Sequence, residues 1–168
     1  VFLNAVTGII VGAIANKFFK NDNQSLLSYA ITGVRTAMLT TTAMNQIKQV
    51  WRRNAILNDL KEDLNRWEQD PAVKGDKAEA VKRITSAFQY RDIVLSLDSL
   101  GLTSFPANVL KHFTFLKILT LDDNQLTTSP DVTGLVNLKL LSMGKNQLTT
   151  PPDVTGLVNL EMLALTGN

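Results

Sequence analysis

Histidine occurs once in the chain, at His112, and cysteine not at all. Those two counts remove most of the common catalytic chemistries. Without a thiolate there is no cysteine nucleophile, no disulfide scaffold, no cysteine-ligated zinc and no iron–sulfur cluster. A lone imidazole acts as a general base only beside a nucleophile, and His112 lies between Leu110 and Phe113 in an apolar stretch after Pro106, the setting of a packed or surface side chain. Gly8, Gly12 and Gly33 stand in apolar helical context, not in a G-x-x-x-x-G-K-[ST] phosphate loop. Glu62 and Asp63 flank the apolar positions of a helical pattern and read as solvated. There is no metal constellation and no cofactor motif, so this segment is expected to have no catalytic activity of its own.

The elements that would carry any other chemistry follow from composition and period. With 168 residues, 45% hydrophobic and 19% charged, the chain can bury a core, which excludes wholesale disorder. The formal net charge of +2 hides an asymmetry. Residues 1–55 hold six basic residues against Asp22 alone, a net +5, and the remainder nets −3. This split predicts two parts with different surroundings and gives no support to nucleic-acid binding along the whole molecule.

The stretch Asn124 to Leu138 returns as Asn146 to Leu160 with one change, Ser129 to Pro151, at a period of 22 residues. Leu116, Leu138 and Leu160 fall in register, as do Leu119, Leu141 and Leu163, then Leu121, Met143 and Leu165, then Asn124, Asn146 and Asn168. This is the leucine-rich-repeat pattern L-x-x-L-x-L-x-x-N-x-L. Leu119 and Leu121 alternate with Ile118 and Thr120, the period of a short strand with its leucines inside. The asparagines stand where the chain leaves the strand, so their amides can satisfy backbone groups that a buried bend would orphan, and stacked copies predict an asparagine ladder. Pro130 and Pro152 open a return limb whose inward side is Val132, Leu135 and Leu138, expected as a short helical turn. Leu95-Ser-Leu97 to Pro106 is an irregular earlier copy, 24 residues ahead of its equivalent, with Leu100 in the asparagine position. Repeats of this kind need roughly three or more units and capped ends. The chain stops at Asn168 within the pattern, and the natural protein is expected to continue with further repeats.

Ahead of the first strand, Leu57, Leu60, Leu64 and Trp67 recur at helical spacing, Asp70-Pro71 interrupts, and Val81, Ile84 and Phe88 resume. Leu64-Asn-Arg-Trp67-Glu-Gln-Asp-Pro71, Ala78-Glu-Ala-Val81-Lys-Arg-Ile84, Leu95-Ser-Leu97, Leu100-Gly-Leu102 and Pro106 together resemble the helical cap and first repeat of secreted bacterial leucine-rich-repeat effectors, a group that includes scaffold-type effectors and effector E3 ubiquitin ligases. The resemblance covers about residues 56–168. It implies host-protein binding by the repeats, with ligase activity, where present, in a separate C-terminal domain with a cysteine nucleophile; this chain contains neither. A bacterial leucine-rich-repeat protein outside that group is the alternative.

Residues 1–16 are uncharged, and Gly8 to Gly12 has the G-x-x-x-G spacing that lets helices approach in lipid. The uncharged length is below the roughly 20 residues a bilayer core requires, and Arg35 interrupts the second apolar stretch, Leu26 to Ile47. Helical packing against the cap is the first reading of this region. Membrane association through residues 1–19 is the second, with Lys48, Trp51, Arg52 and Arg53 at a headgroup boundary; a chaperone-bound secretion segment is a third.

The expected architecture is therefore α/β: a leucine-rich-repeat solenoid of short parallel strands with an N-terminal α-helical region and cap, divided as 1–55 helical and hydrophobic, 56–90 cap, and 91–168 repeats. Recognition of a protein partner would fall to the outward strand positions. One column is Val94, Ile118, Leu140 and Met162, apolar in every copy; the next is Ser96, Thr120, Ser142 and Ala164; a third is Asp98, Asp122, Gly144 and Thr166, with Asp123 and Lys145 alongside. An apolar stripe beside small residues and an acidic end predicts a groove in which hydrophobes anchor a partner and charges orient it. Coverage of that face by the N-terminal helices is the competing expectation. The functional expectation is a protein-recognition module in a secreted bacterial effector. Its alternatives are the substrate-binding arm of a ubiquitin-ligase-type effector and a membrane-anchored structural protein.

Overall fold

The computed structural model describes residues 41–168. The stretch 1–19, the Gly8–Gly12 spacing and most of 26–47 lie outside the described residues. Packing divides the chain into two units, residues 1–53 and residues 54–168. The first is described only through the helical stretch 41–53, on which Lys48, Trp51, Arg52 and Arg53 are exposed.

Helix α1 (Thr41–Gln69) runs without a break across the expected 55/56 boundary. Beyond residue 53 its inner stripe is Ile56, Leu57, Leu60, Leu64 and Trp67, with the last three buried, as a 3.6-residue period requires of a helix with one apolar face. It stops at Asp70-Pro71 because proline offers no N–H and disfavours helical backbone in the residue before it. Asp70 then accepts the N–H of Ala72 at 2.9 Å to close the turn. Helix α2 (Lys77–Tyr90) begins on Asp76, whose carboxylate accepts the N–H of Glu79 at 3.0 Å. It ends at Arg91, in the left-handed region at φ +56°, with Asp92 N–H reaching back to Ala87 C=O at 2.9 Å. Among the described residues, no helix is long and apolar enough to cross a membrane.

Four three-residue strands follow: β1 (Val94–Ser96), β2 (Ile118–Thr120), β3 (Leu140–Ser142) and β4 (Met162–Ala164). They form one parallel sheet in chain order. Leu95, Leu119, Leu141 and Leu163 pair rung to rung, and Val94, Ile118, Leu140 and Met162 pair beside them. The described residues thus form a mixed α/β fold in which two helices precede a four-stranded parallel sheet. Parallel neighbours need long connections, and here each connection is a return limb that lays its own leucines under the sheet. Leu116, Leu119, Leu121, Leu135, Leu138, Leu141 and Met143 are fully buried. Leu163, on the edge strand, has a rung on one side only and is 41% exposed.

The return limbs differ from the expected helical turn. Only the first contains a helix, a 3-10 turn over Leu110–His112. In the next two, separate turns carry the chain, Leu135 N–H to Val132 C=O at 2.9 Å and Leu157 N–H to Val154 C=O at 3.1 Å among them. Asp131 and Asp153 hold the N–H groups of Thr133 and Thr155 at 3.0 and 2.9 Å, side-chain turns that compete with helix, and Gly156 sits at φ +85°, which a helix cannot contain.

The helices cover the β1 end of the sheet. Phe88 of α2 meets Phe113 edge-on with ring centroids 5.7 Å apart, and Phe115 adds a third ring 5.6 Å from Phe113. Trp67 donates its indole N–H to Ser104 Oγ at 3.2 Å. The linker between the helices is stitched to the first loop, Asp76 N–H to Leu100 C=O at 2.8 Å and Lys74 N–H to Thr103 Oγ1 at 3.0 Å. Gly75 makes that approach possible: a Cβ there would stand 2.7 Å from backbone atoms of Gly101 and Leu100.

Candidate functional site

The pleat sends alternate side chains of each strand to opposite faces, so the central leucine of β1 to β3 goes under the sheet and its neighbours stay on the outer surface. Val94, 45% exposed, and Met162, 57% exposed, bracket the half-buried Ile118 and Leu140. The four sequence-expected apolar residues therefore form one stripe running across the strands. Ile93, not among the residues expected from the sequence, is also exposed and lies next to Val94 at the β1 end. Its signal was available, since it directly precedes the apolar column. Small side chains adjoin the stripe at Ser96, Thr120, Ser142 and Ala164, which keeps the middle of the face shallow. At the β1 end a cleft opens beside α2, lined by Lys82, Arg83, Ser86, Val94 and Ser96, with Arg83 donating to Ser96 C=O at 3.3 Å.

The acidic column is brought to the C-terminal ends of the strands, but two of its members bind their own scaffold. Asp98 accepts from the hydroxyls of Ser96 and Thr120 at 2.8 and 2.7 Å and from the N–H of Asp122 at 2.8 Å. Asp122 repeats this one unit on, accepting from Ser142 Oγ at 2.7 Å and from Gly144 N–H at 2.6 Å. These carboxylates fasten neighbouring rungs and still place negative charge at the rim. Asp123 and Lys145 are exposed beside them, Asp123 accepting from Ser99 Oγ at 3.2 Å. At the opposite, N-terminal ends of the strands stand Lys117 and Lys139, both exposed, with Lys139 bonded to Glu161.

The asparagines do not hydrogen-bond to one another. Each serves the main chain of its own unit and of the one before. Asn146 donates to Leu121, Met143 and Gly144 carbonyls at 2.9 to 3.1 Å and accepts from Leu126 N–H at 3.0 Å. Asn124 donates to Leu97, Leu121 and Asp122 carbonyls and accepts from Leu100 and Leu102 N–H. Leu100 occupies the asparagine position of the first unit, which packs against the helical cap.

His112 is half-buried on the 3-10 turn, and its Nε2 has no hydrogen-bond partner among the described residues. Burial, with Lys111 nearby, holds its pKa below the ordinary 6.5, against a weaker opposite pull from Asp59 and Asp63. The two carboxylates that act on it, Asp59 and Asp63, belong to α1 and not to the outer strand face. Among the described residues, no group of three or more histidine, aspartate or glutamate side chains is placed to hold a metal ion. The outer face presents an apolar stripe, a rim with Asp98, Asp122 and Asp123 at the C-terminal strand ends and Lys117 and Lys139 at the N-terminal ends, and hydrogen-bonded main chain beneath. No protein-family model, curated protein or solved structure matches the chain.

Proposed function

We propose that this chain is a leucine-rich-repeat recognition module, of the kind carried by secreted bacterial effectors, which captures a protein partner on the outer face of its sheet. The observation that carries the reading is the stripe of Val94, Ile118, Leu140 and Met162, aligned rung by rung and left on the surface while Leu95, Leu119 and Leu141 of the adjacent column are buried. A contiguous apolar surface of this kind, with charged residues at its margins, has the anatomy of a protein-binding patch. The scaffold supports the role. Cross-rung bonds from Asp98, Asp122, Asn124 and Asn146 hold the stripe in fixed geometry, so little ordering entropy opposes docking. Recognition, not turnover, is the activity assigned to this segment.

The test is site-specific photo-crosslinking in cells. A photoreactive amino acid at position 140 should give a discrete protein adduct that Ile118→Asp abolishes, and the same group at position 136, on the return limb, should not. Equal labelling from both positions, or none from 140, would contradict the reading.

A further inference from the structure

The stripe has a repeat length, and that length discriminates between partners. Adjacent strands of a sheet lie about 4.8 Å apart, so the four outward side chains Val94, Ile118, Leu140 and Met162 span about 14.4 Å in three nearly equal steps. An α-helix lying along the stripe rises about 1.5 Å per residue, which places its positions i, i+3, i+7 and i+10 at about 0, 4.5, 10.5 and 15 Å. Each falls within about 1 Å of a rung. An extended segment presents one side chain on a given face every 6.6 Å or so and is about 2 Å out of step after a single rung. The width agrees as well, since a helix about 10 Å across covers a three-residue strand about 10 Å long.

The rim supplies a direction. Beyond the C-terminal ends of the strands, Asp98, Asp122 and Asp123 outnumber Lys145 and Arg83, the latter at the β1 edge on Ser96 C=O, while at the N-terminal ends Lys139 is already bonded to Glu161 and Lys117 adds a positive charge. We propose that the outer face receives an amphipathic helix of a partner protein, laid across the four strands, with apolar side chains at i, i+3, i+7 and i+10 and lysine or arginine along the flank beside Asp98, Asp122 and Asp123. This rests on the reading of the face as a recognition surface and adds the shape and charge of what it recognises. The small residues Ser96, Thr120, Ser142 and Ala164 make room for the helix body, and the side chains at i to i+10 meet one rung each. Docking of this kind loses affinity in salt, because the rim charges are exposed.

A displayed library of 14-residue peptides, selected on the full chain and counter-selected on Leu140→Asp and separately on Met162→Asp, tests the inference. Circular dichroism of both variants is to check that they are folded, and Met162 is exposed enough for its variant to serve if Leu140→Asp is not folded. The expected result is enrichment of peptides with apolar residues at i, i+3, i+7 and i+10 and a basic flank, helical when bound, whose binding drops about three- to fivefold at low salt on Asp123→Lys. Enriched peptides with alternating apolar residues, or with an acidic flank, would overturn the helix assignment while leaving the recognition surface standing. No stripe-dependent peptide at all would overturn it too, and a blank crosslinking result at position 140 would then remove the recognition reading with it.

Discussion

Asp122 accepts the N–H of Gly144, the residue 22 positions further along the chain, at 2.6 Å, and in the same bond network takes the hydroxyl of Ser142 at 2.7 Å. Asp98 stands in the same relation to Asp122 and Thr120 one unit earlier. The column thus works as a row of clasps between successive strand ends. It also accounts for the glycine: a Cβ at position 144 would lie 3.3 Å from the Asp122 carboxylate and 3.0 Å from Thr166 C=O.

Removing the clasp should weaken folding by more than its exposure suggests. Asp122→Ala leaves a half-buried N–H and a hydroxyl without their acceptor, and we expect a loss of about 1–3 kcal/mol in urea unfolding. Asp123→Ala, one residue on but exposed, should stay within about 0.5 kcal/mol. Equal effects at the two positions would show that the clasp contributes nothing.

The asparagines give a graded series. Asn146 is buried and serves four main-chain groups, so Asn146→Ala is expected to cost about 3 kcal/mol or more by the same measurement. Asn168 makes comparable bonds on the exposed edge unit, where water can replace them, and Asn168→Ala should cost about 1 kcal/mol or less. Asn146→Asp should be as harmful as the alanine variant, because it aims a carboxylate at three carbonyl oxygens.

Two glycines at positive φ should respond differently to the same substitution. Gly156 has nothing within 4 Å of a Cβ, so Gly156→Ala carries only the backbone penalty, about 1 kcal/mol. Gly75→Ala combines φ +107° with a 2.7 Å clash against the first loop, and the linker must lift off. The expected loss exceeds about 2 kcal/mol, with faster hydrogen exchange at Asp76 and Thr103, whose amides close that seam.

His112 predicts a pH dependence of stability. Its pKa in the folded protein is lowered, first by burial and then by Lys111, so the unfolded chain binds the proton more readily. The stabilisation is complete above the ordinary value of 6.5 and is lost as pH falls from there through the lowered folded value. Asp131 and Asp153, held down by hydrogen bonds from Thr133 and Thr155, act in the same sense in a lower window, beginning at the ordinary carboxylate value of 3.8. Thermal melts between pH 7 and 5 should therefore fall for the parent and flatten for His112→Gln. An unchanged slope in the variant would contradict the assignment.

Much of the scaffold was legible because one residue type answered one physical demand. Leu95, Leu119, Leu141 and Leu163 recur at the spacing a buried column needs, and the strands pair in that register. Trp67, Ile84 and Phe88 marked the inner faces of the helices for the same reason. Asp98 and Asp122 were harder. A carboxylate just past a strand suits a partner's cation and a neighbour's N–H equally well, and only coordinates show that the next rung brings Asp122 N–H and Gly144 N–H within reach. The asparagines were expected to stack as a ladder; that their amides serve the preceding unit depends on the rise between units, which composition does not state. The return limbs misled because Val132, Leu135 and Leu138 have helical spacing, while the Asp131–Thr133 turn breaks the ladder locally.

The central claim is that Ile118 and Leu140 belong to the working surface and not to the core. The double variant Ile118→Asp/Leu140→Asp, measured by thermal melting together with binding of the partner crosslinked at position 140, tests it most directly. The account predicts a melt within a few degrees of the parent and binding reduced at least tenfold. Cooperative unfolding lost at room temperature would place those side chains in the core, and a folded variant with undiminished binding would place recognition elsewhere on the molecule.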